Sequence, residues 1–69
     1  MKPKSIKHFL SWFEKQKKAG KKVYTTCLMD QDYPAIETAD EEFVHDEEGH
    51  YWEMCEVFID QDFTAVKQS

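Results

Sequence analysis

Apolar positions near the start of the chain recur with a helical period. Ile6, Phe9, Leu10 and Phe13 follow spacings of three, one and three, which aligns them on one stripe and predicts an amphipathic helix within Met1 to Gly20. Pro3 fits the approach, Ser5 is a candidate N-cap, and Gly20 is placed just past the end, where a left-handed residue closes a helix. Lys17, Lys18, Lys21 and Lys22 lie where the negative end of the helix dipole favours cations. Trp12 falls at the flank of the stripe, about 110° from its centre at roughly 100° per residue. Lys4, Lys7, Lys15 and Lys18 line the opposite side.

Beyond Gly20 the period changes. Lys22 to Met29 reads as a strand of β-formers and apolar residues. It stops at the polar turn Asp30-Gln31-Asp32-Tyr33-Pro34, where proline cannot donate to a ladder. The apolar mass of the second half concentrates in Glu41 to Ile59, which reads as a hairpin. Asp46 suits the first position of a type I turn, its carboxylate accepting from the backbone two residues on, and Gly49 suits the bulge position with positive φ. On that register Asp46 faces His50, His45 faces Tyr51, Val44 faces Trp52 and Glu42 faces Met54. Val44, Trp52, Met54 and Phe58 then share one face, with Phe43, Tyr51, Glu53, Cys55, Val57 and Ile59 on the other. A helix competes for this region: Thr38-Ala39-Asp40-Glu41 has capping-box spacing, and Glu53, Glu56 and Asp60 fit one helical face. The strand reading predicts an α+β fold in one domain over residues 1–69. The N-terminal helix packs on a three-stranded antiparallel meander that includes the 41–59 hairpin. A short echo, Asp30-Gln31-Asp32-Tyr33-Pro34-Ala35-Ile36 against Asp60-Gln61-Asp62-Phe63-Thr64-Ala65-Val66, follows each strand-like run, with an aromatic and an aliphatic residue expected to fold back onto the core. Two copies are too few for a solenoid.

Charge changes this picture more than composition does. Residues 1–22 hold eight lysines and one glutamate, a balance of +7, whereas residues 23–69 hold one lysine and thirteen carboxylates, a balance of −12. The two halves either neutralise each other, a basic helix lying beside an acidic sheet, or each faces its own partner. The absence of arginine weakens any case for reading bases in DNA, which favours bidentate guanidinium contacts.

At 69 residues the chain has a thin margin of stability, which ten aromatic residues partly offset through the area they bury. No apolar run approaches a membrane span, and Lys7, His8 and Glu14 interrupt any secretory signal, so a cytoplasmic protein is expected. Two cysteines, Cys27 and Cys55, allow at most one internal bridge and are expected to be reduced.

Candidate chemistry is sparse. Cys27, His45, His50 and Cys55 are zinc-binding residue types, but the intervening spacings of 17, 4 and 4 include no close pair, and the hairpin register aims the two imidazoles at opposite faces. The Asp-x-Asp pairs at Asp30/Asp32 and Asp60/Asp62 lack the glycine and glutamate of a calcium loop. No metal or other cofactor is expected. Cys27 or Cys55 with His50 could form a nucleophilic pair, but both thiols lie in apolar runs that leave them inert, and a fold with one short hairpin offers little volume for a pocket. No enzyme is expected.

The favoured function is that of a small acidic protein-binding or regulatory protein. Tyr33, Tyr51, Trp52 and Phe63 would serve as anchors among Glu37, Asp40, Glu41, Glu42, Glu47, Glu48, Asp60 and Asp62. In a sharper version these carboxylates, with Asp46 and Glu53, imitate a row of phosphates and inhibit an enzyme that acts on nucleic acid, as a phage accessory protein would. The alternative is non-specific binding of nucleic acid or an anionic surface by Lys4, Lys7, Lys15 and Lys18. Self-pairing through an exposed sheet edge, giving a homodimer, is a third outcome.

Overall fold

The computed structural model describes residues 1–25 and 34–67. The strand expected beyond Thr25, the turn at 30–33, Cys27 and Tyr33 lie outside them. The first element is the expected helix, α1 (Ile6–Lys18). Ser5 caps it with extended backbone, its hydroxyl accepting from the His8 N–H at 3.1 Å. At the other end the N–H groups of Ala19 and Gly20 donate to the carbonyls of Lys15 and Lys17, and Gly20 takes φ +76° to turn the chain.

That turn feeds β1 (Lys21–Thr25), which is followed by β2 (Ile36–Ala39), β3 (Phe43–Asp46), β4 (Tyr51–Glu53), α2 (Glu56–Ile59) and β5 (Phe63–Lys67). The class is α+β as expected, but the antiparallel sheet has five strands in the order β4-β3-β2-β1-β5 rather than three. β2 and β5, the two strands not anticipated, flank β1, so Val23 lies opposite Ile36 on one side and Ala65 on the other. The second halves of the two echoed segments enter strands, with Ile36 and Phe63 in the core as expected and Val66 exposed on the open face. β2 carries a register shift between Ile36 and Thr38, which leaves Glu37 as an extra residue and keeps Ile36 and Ala39 on one face.

The 41–59 hairpin forms with the expected register at its tip, His45 opposite Tyr51 and Val44 opposite Trp52. The Met54 N–H donates to the Glu42 carbonyl at 2.8 Å. Strand pairing stops there. Cys55 to Ile59 form a helical turn, not the expected continuation of a strand, because one helical turn directs both Phe58 and Ile59 to the core. A strand would have sent them to opposite faces. Val57, just before them, is left 83 % exposed. The competing helix at 38–48 is replaced by a hairpin turn: Asp40 Oδ1 accepts from the N–H groups of Glu42 and Phe43 at 2.8 and 2.7 Å.

β4 and β5 both run parallel to β2, so the chain from one sheet edge to the other must cross the sheet. It does so on the α1 side, where Phe58 meets the helix. The core lies in that layer. Phe9 is fully buried, with the rings of Phe63, Phe13, Phe58 and Trp12 centred 4.6, 5.8, 6.0 and 6.4 Å away. Val23, Ile36, Val44, Met54 and Ile59 complete it. Trp12, expected at the flank, packs partly against this cluster. No helix among the described residues is long and apolar enough to cross a membrane.

Because one ring touches both helices and β5, Phe9→Ala is expected to cost about 3–5 kcal/mol, most of the stability of a domain this small. Urea unfolding followed by tryptophan fluorescence measures it, and a loss under about 1 kcal/mol would show that the aromatic cluster is not the main support.

Candidate functional site

The sheet has one face under α1 and α2 and one face that nothing among the described residues covers. The open face carries Lys22 and Tyr24 from β1, Thr38 from β2, Phe43 and His45 from β3, Tyr51 and Glu53 from β4, and Thr64 and Val66 from β5. Each is exposed or half-exposed. At its β4 edge Tyr51 is sandwiched in sequence register between aromatic neighbours, 5.6 Å from Phe43 and 5.7 Å from His45 between ring centres. Tyr51 is nevertheless 64 % exposed. Trp52 points to the helix side of the same strand, yet α1 does not reach that far, and the indole stays 40 % exposed. The β3–β4 hairpin thus presents aromatic surface on both faces.

Asp46 holds the hairpin in shape. It is 4 % exposed, and its Oδ1 accepts from the N–H groups of Glu48 and His50 at 2.8 and 2.9 Å. The Asp46 N–H donates to the His50 carbonyl at 3.0 Å, and Gly49 takes φ +90°. Asp46 Oδ2 faces His50 Nδ1 at 3.3 Å. Asp46 is therefore a turn residue rather than part of an exposed anionic row.

The other carboxylates of the expected row differ in their surroundings, and Asp62 is exposed at the approach to β5. Three are tied to lysines of the basic segment: Glu47 to Lys22 at 2.9 Å, Asp60 to Lys2 at 3.1 Å and Glu37 to Lys17 at 3.9 Å. Glu47 raises the Lys22 amine above its ordinary value, through the hydrogen bond first and the opposite charge second. Asp40, Glu41, Glu42 and Glu53 are exposed and make no ion pair with described residues. They gather where the β2–β3 turn meets the end of β4. The Phe43 and Glu42 N–H groups hold the Asp40 carboxyl below its ordinary value of 3.8. Glu48 lies beside His50, 4.0 Å from Nδ1.

Among the expected anchors, Tyr51 and Trp52 are thus brought to one hairpin beside Glu41, Glu42 and Asp40, with Glu53 joining them. Phe63 is corrected: it heads β5 on the helix-covered face, 1 % exposed, and belongs to the core. Phe43 joins Tyr51 and Trp52, although the sequence marks it only as a face residue. Its signal was the register that sets it next to Tyr51. The lysine stripe is broken up, since Lys4 precedes the helix and its N–H donates to His8 Nδ1 at 3.1 Å, while Lys18 pairs with Glu14 at 3.0 Å. Lys7 and Lys15 are exposed.

An open groove of about 740 Å³, larger than the sequence led us to expect, runs between the start of α1 and α2. Pro3, Ile6, Val57 and Ile59 line it with Lys4, Lys7, Glu56 and Asp60. Cys55, outside its lining, is half-buried, and no three metal-ligating side chains among the described residues are gathered to hold an ion.

Two outcomes follow from the turn carboxylates. Asp46→Ala should destabilise the chain by about 1.5–3 kcal/mol, since charge-assisted turn bonds are lost, and Asp46→Asn by less, because an amide oxygen still accepts. Chemical denaturation of the two variants checks the ranking. The depressed Asp40 carboxyl contributes stability that is complete above its unfolded value and is lost as pH falls through its folded value, so Asp40→Asn should flatten the stability profile below pH 3.8. A profile parallel to that of the parent chain would contradict it. No family model matches the chain, and neither a curated protein nor a solved structure matches it.

Proposed function

We propose that this chain is a small protein-binding module with a regulatory role, docking through the β3–β4 hairpin onto a positively charged surface of another protein. The observation that carries the proposal is the coincidence, at one sheet edge, of exposed Tyr51, Trp52 and Phe43 with carboxylates that make no ion pair among the described residues. Aromatic rings that lie flat on a partner supply contact area at little entropic cost, and a surrounding rim of one charge speeds encounter and selects the opposite sign. The helix side supplies stability and leaves the hairpin edge free of that duty. Two cysteines, too few for a disulfide framework, support a cytosolic setting.

Imitation of a phosphate row has less support than docking on a basic protein surface. Glu37, Glu47 and Asp60 are engaged by lysines, and Asp46 is buried. Nucleic-acid binding by the lysine stripe is weaker again, because Lys18 is neutralised by Glu14 and Lys4 stands outside the helix.

Immobilised chain should retain a protein from extracts of its source cell, and that protein, once purified, should bind more weakly as salt rises. Tyr51→Ser and the triple change Glu41→Lys, Glu42→Lys, Glu53→Lys should each reduce its affinity by about tenfold or more. Affinity indifferent to both changes would place the contact elsewhere. Retention of labelled RNA or DNA in a gel shift, lost when Lys7 and Lys15 become glutamine, would favour the lysine reading instead.

A further inference from the structure

The ladder between β3 and β4 fixes which backbone groups look outward. In an antiparallel pair, residues alternate between those that exchange both backbone bonds with their partner and those that turn their N–H and C=O away. The Asp46 N–H bonds to the His50 carbonyl and the Met54 N–H to the Glu42 carbonyl. Counting inward from both ends, Val44 and Trp52 are a bonded pair, while His45 with Tyr51 and Phe43 with Glu53 are not. Tyr51 and Glu53 therefore direct both of their backbone groups away from the sheet, and no described residue takes them up.

The opposite edge is defended. Met1 exchanges both backbone hydrogen bonds with Phe63, closing the first rung of β5. The same alternation makes Lys21 and Lys67, directly opposite each other, a non-bonded pair whose side chains approach closely. Two like charges there resist any basic strand that would extend the sheet on this side. Among the described residues, only the β4 edge combines outward backbone groups with unpaired negative charge.

Resting on the docking reading above, we infer that the partner contributes an extended segment that pairs antiparallel with β4 as a sixth strand. The segment carries a basic, then an apolar, then an aromatic residue. The register dictates that order. The residue opposite Glu53 shares the open face with Glu53 and takes a lysine or arginine. The next lies opposite Trp52 on the helix side, where the indole is exposed, and takes a β-branched side chain. The third lies opposite Tyr51, beside Phe43 and His45, and takes a ring. Four backbone bonds with Tyr51 and Glu53 would give affinity, and the alternating side chains selectivity.

The test uses the full chain, labelled with nitrogen-15, and the peptide acetyl-Gly-Lys-Arg-Val-Tyr-Ser-Gly-amide. Added peptide should shift the amide signals of Tyr51 and Glu53 and slow their hydrogen exchange. The same peptide with both basic residues replaced by glutamate should bind at least about tenfold more weakly. Glu53→Gln removes the charge alone. Glu53→Pro removes the charge and an N–H that bonds nothing inside the chain, so the fold should tolerate it at an edge. Pairing by strand addition requires Glu53→Pro to bind more weakly than Glu53→Gln, with unchanged amide spectra elsewhere certifying both folds. Equal binding by the two, or an unmoved Tyr51 and Glu53 with millimolar peptide, overturns the added strand. If the captured partner still loses affinity with Tyr51→Ser, the docking reading survives that failure. If the partner ignores Tyr51→Ser and the glutamate reversals, the docking reading itself has failed. Sedimentation of the chain alone should show a monomer, and a dimer whose Tyr51 and Glu53 amides are already protected would assign the edge to a second copy and overturn the proposal.

Discussion

Burial of one phenylalanine ring sets the terms for the rest of this fold. Phe9 is the point where α1, α2 and β5 meet, and four aromatic neighbours surround it. A single helix of 13 residues can cover only part of a five-stranded sheet, and here it lies over β1, between β2 and β5. What falls within reach of that helix becomes core. What lies beyond it, the β3–β4 hairpin, contributes Val44 and Met54 to the interior and leaves Phe43, Tyr51 and Trp52 in solvent. In a chain this short the burial of large rings carries most of the stability, so aromatic residues left outside the core are the ones that call for another explanation.

The exposed hairpin keeps its shape by different means. Two aspartates act as backbone substitutes at its turns: Asp40 accepts two N–H groups where β2 turns into β3, and Asp46 accepts two where β3 turns into β4. These bonds are local and need no helix above them. Carboxylates in this region consequently have three separate roles: turn formation, pairing with lysines of the first segment, and exposure without an ionic partner. A reading that counts them as one acidic surface merges groups whose environments differ.

The ends of α1 were legible because they depend on single residues, Ser5 and Gly20, whose chemistry is local. The same holds for the hairpin tip, where Asp46 and Gly49 set the register and hence the identity of every facing pair down to Glu53. β2 was hidden by its bulge. The extra residue at Glu37 puts Ile36 and Ala39 three apart on one face, a spacing that mimics a helix and disguises a strand. At 55–59 the sequence carries the signal in another form: apolar residues on both faces of a strand-like run mark a helical turn with two adjacent residues facing one core. Phe63 and Val66 are β-formers, but β5 is recognisable mainly through its partner β1, and long-range pairing leaves no local trace. The aromatic group at Tyr51 follows from the register, whereas the exposure of Trp52 depends on how far α1 reaches, which no local pattern encodes.

The opposite charges of the two halves of the sequence take on a specific form in space. Lys2, Lys17 and Lys22 each reach a carboxylate of the second half, joining the N-terminal segment to α2, to the β2 bulge and to the β3–β4 turn respectively. Exposed pairs of this kind contribute little each to stability, but they do decide which acids stay unmatched. No described lysine pairs with Asp40, Glu41, Glu42 or Glu53, so the acids left over gather at the β2–β3 turn and the end of β4. At the other end of the sheet order, Lys21 of β1 stands opposite Lys67 of the edge strand β5. Partial neutralisation across the middle of the sheet thus leaves one negative and one positive edge. Under the docking proposal, that polarity favours a basic segment at β4 over one at β5.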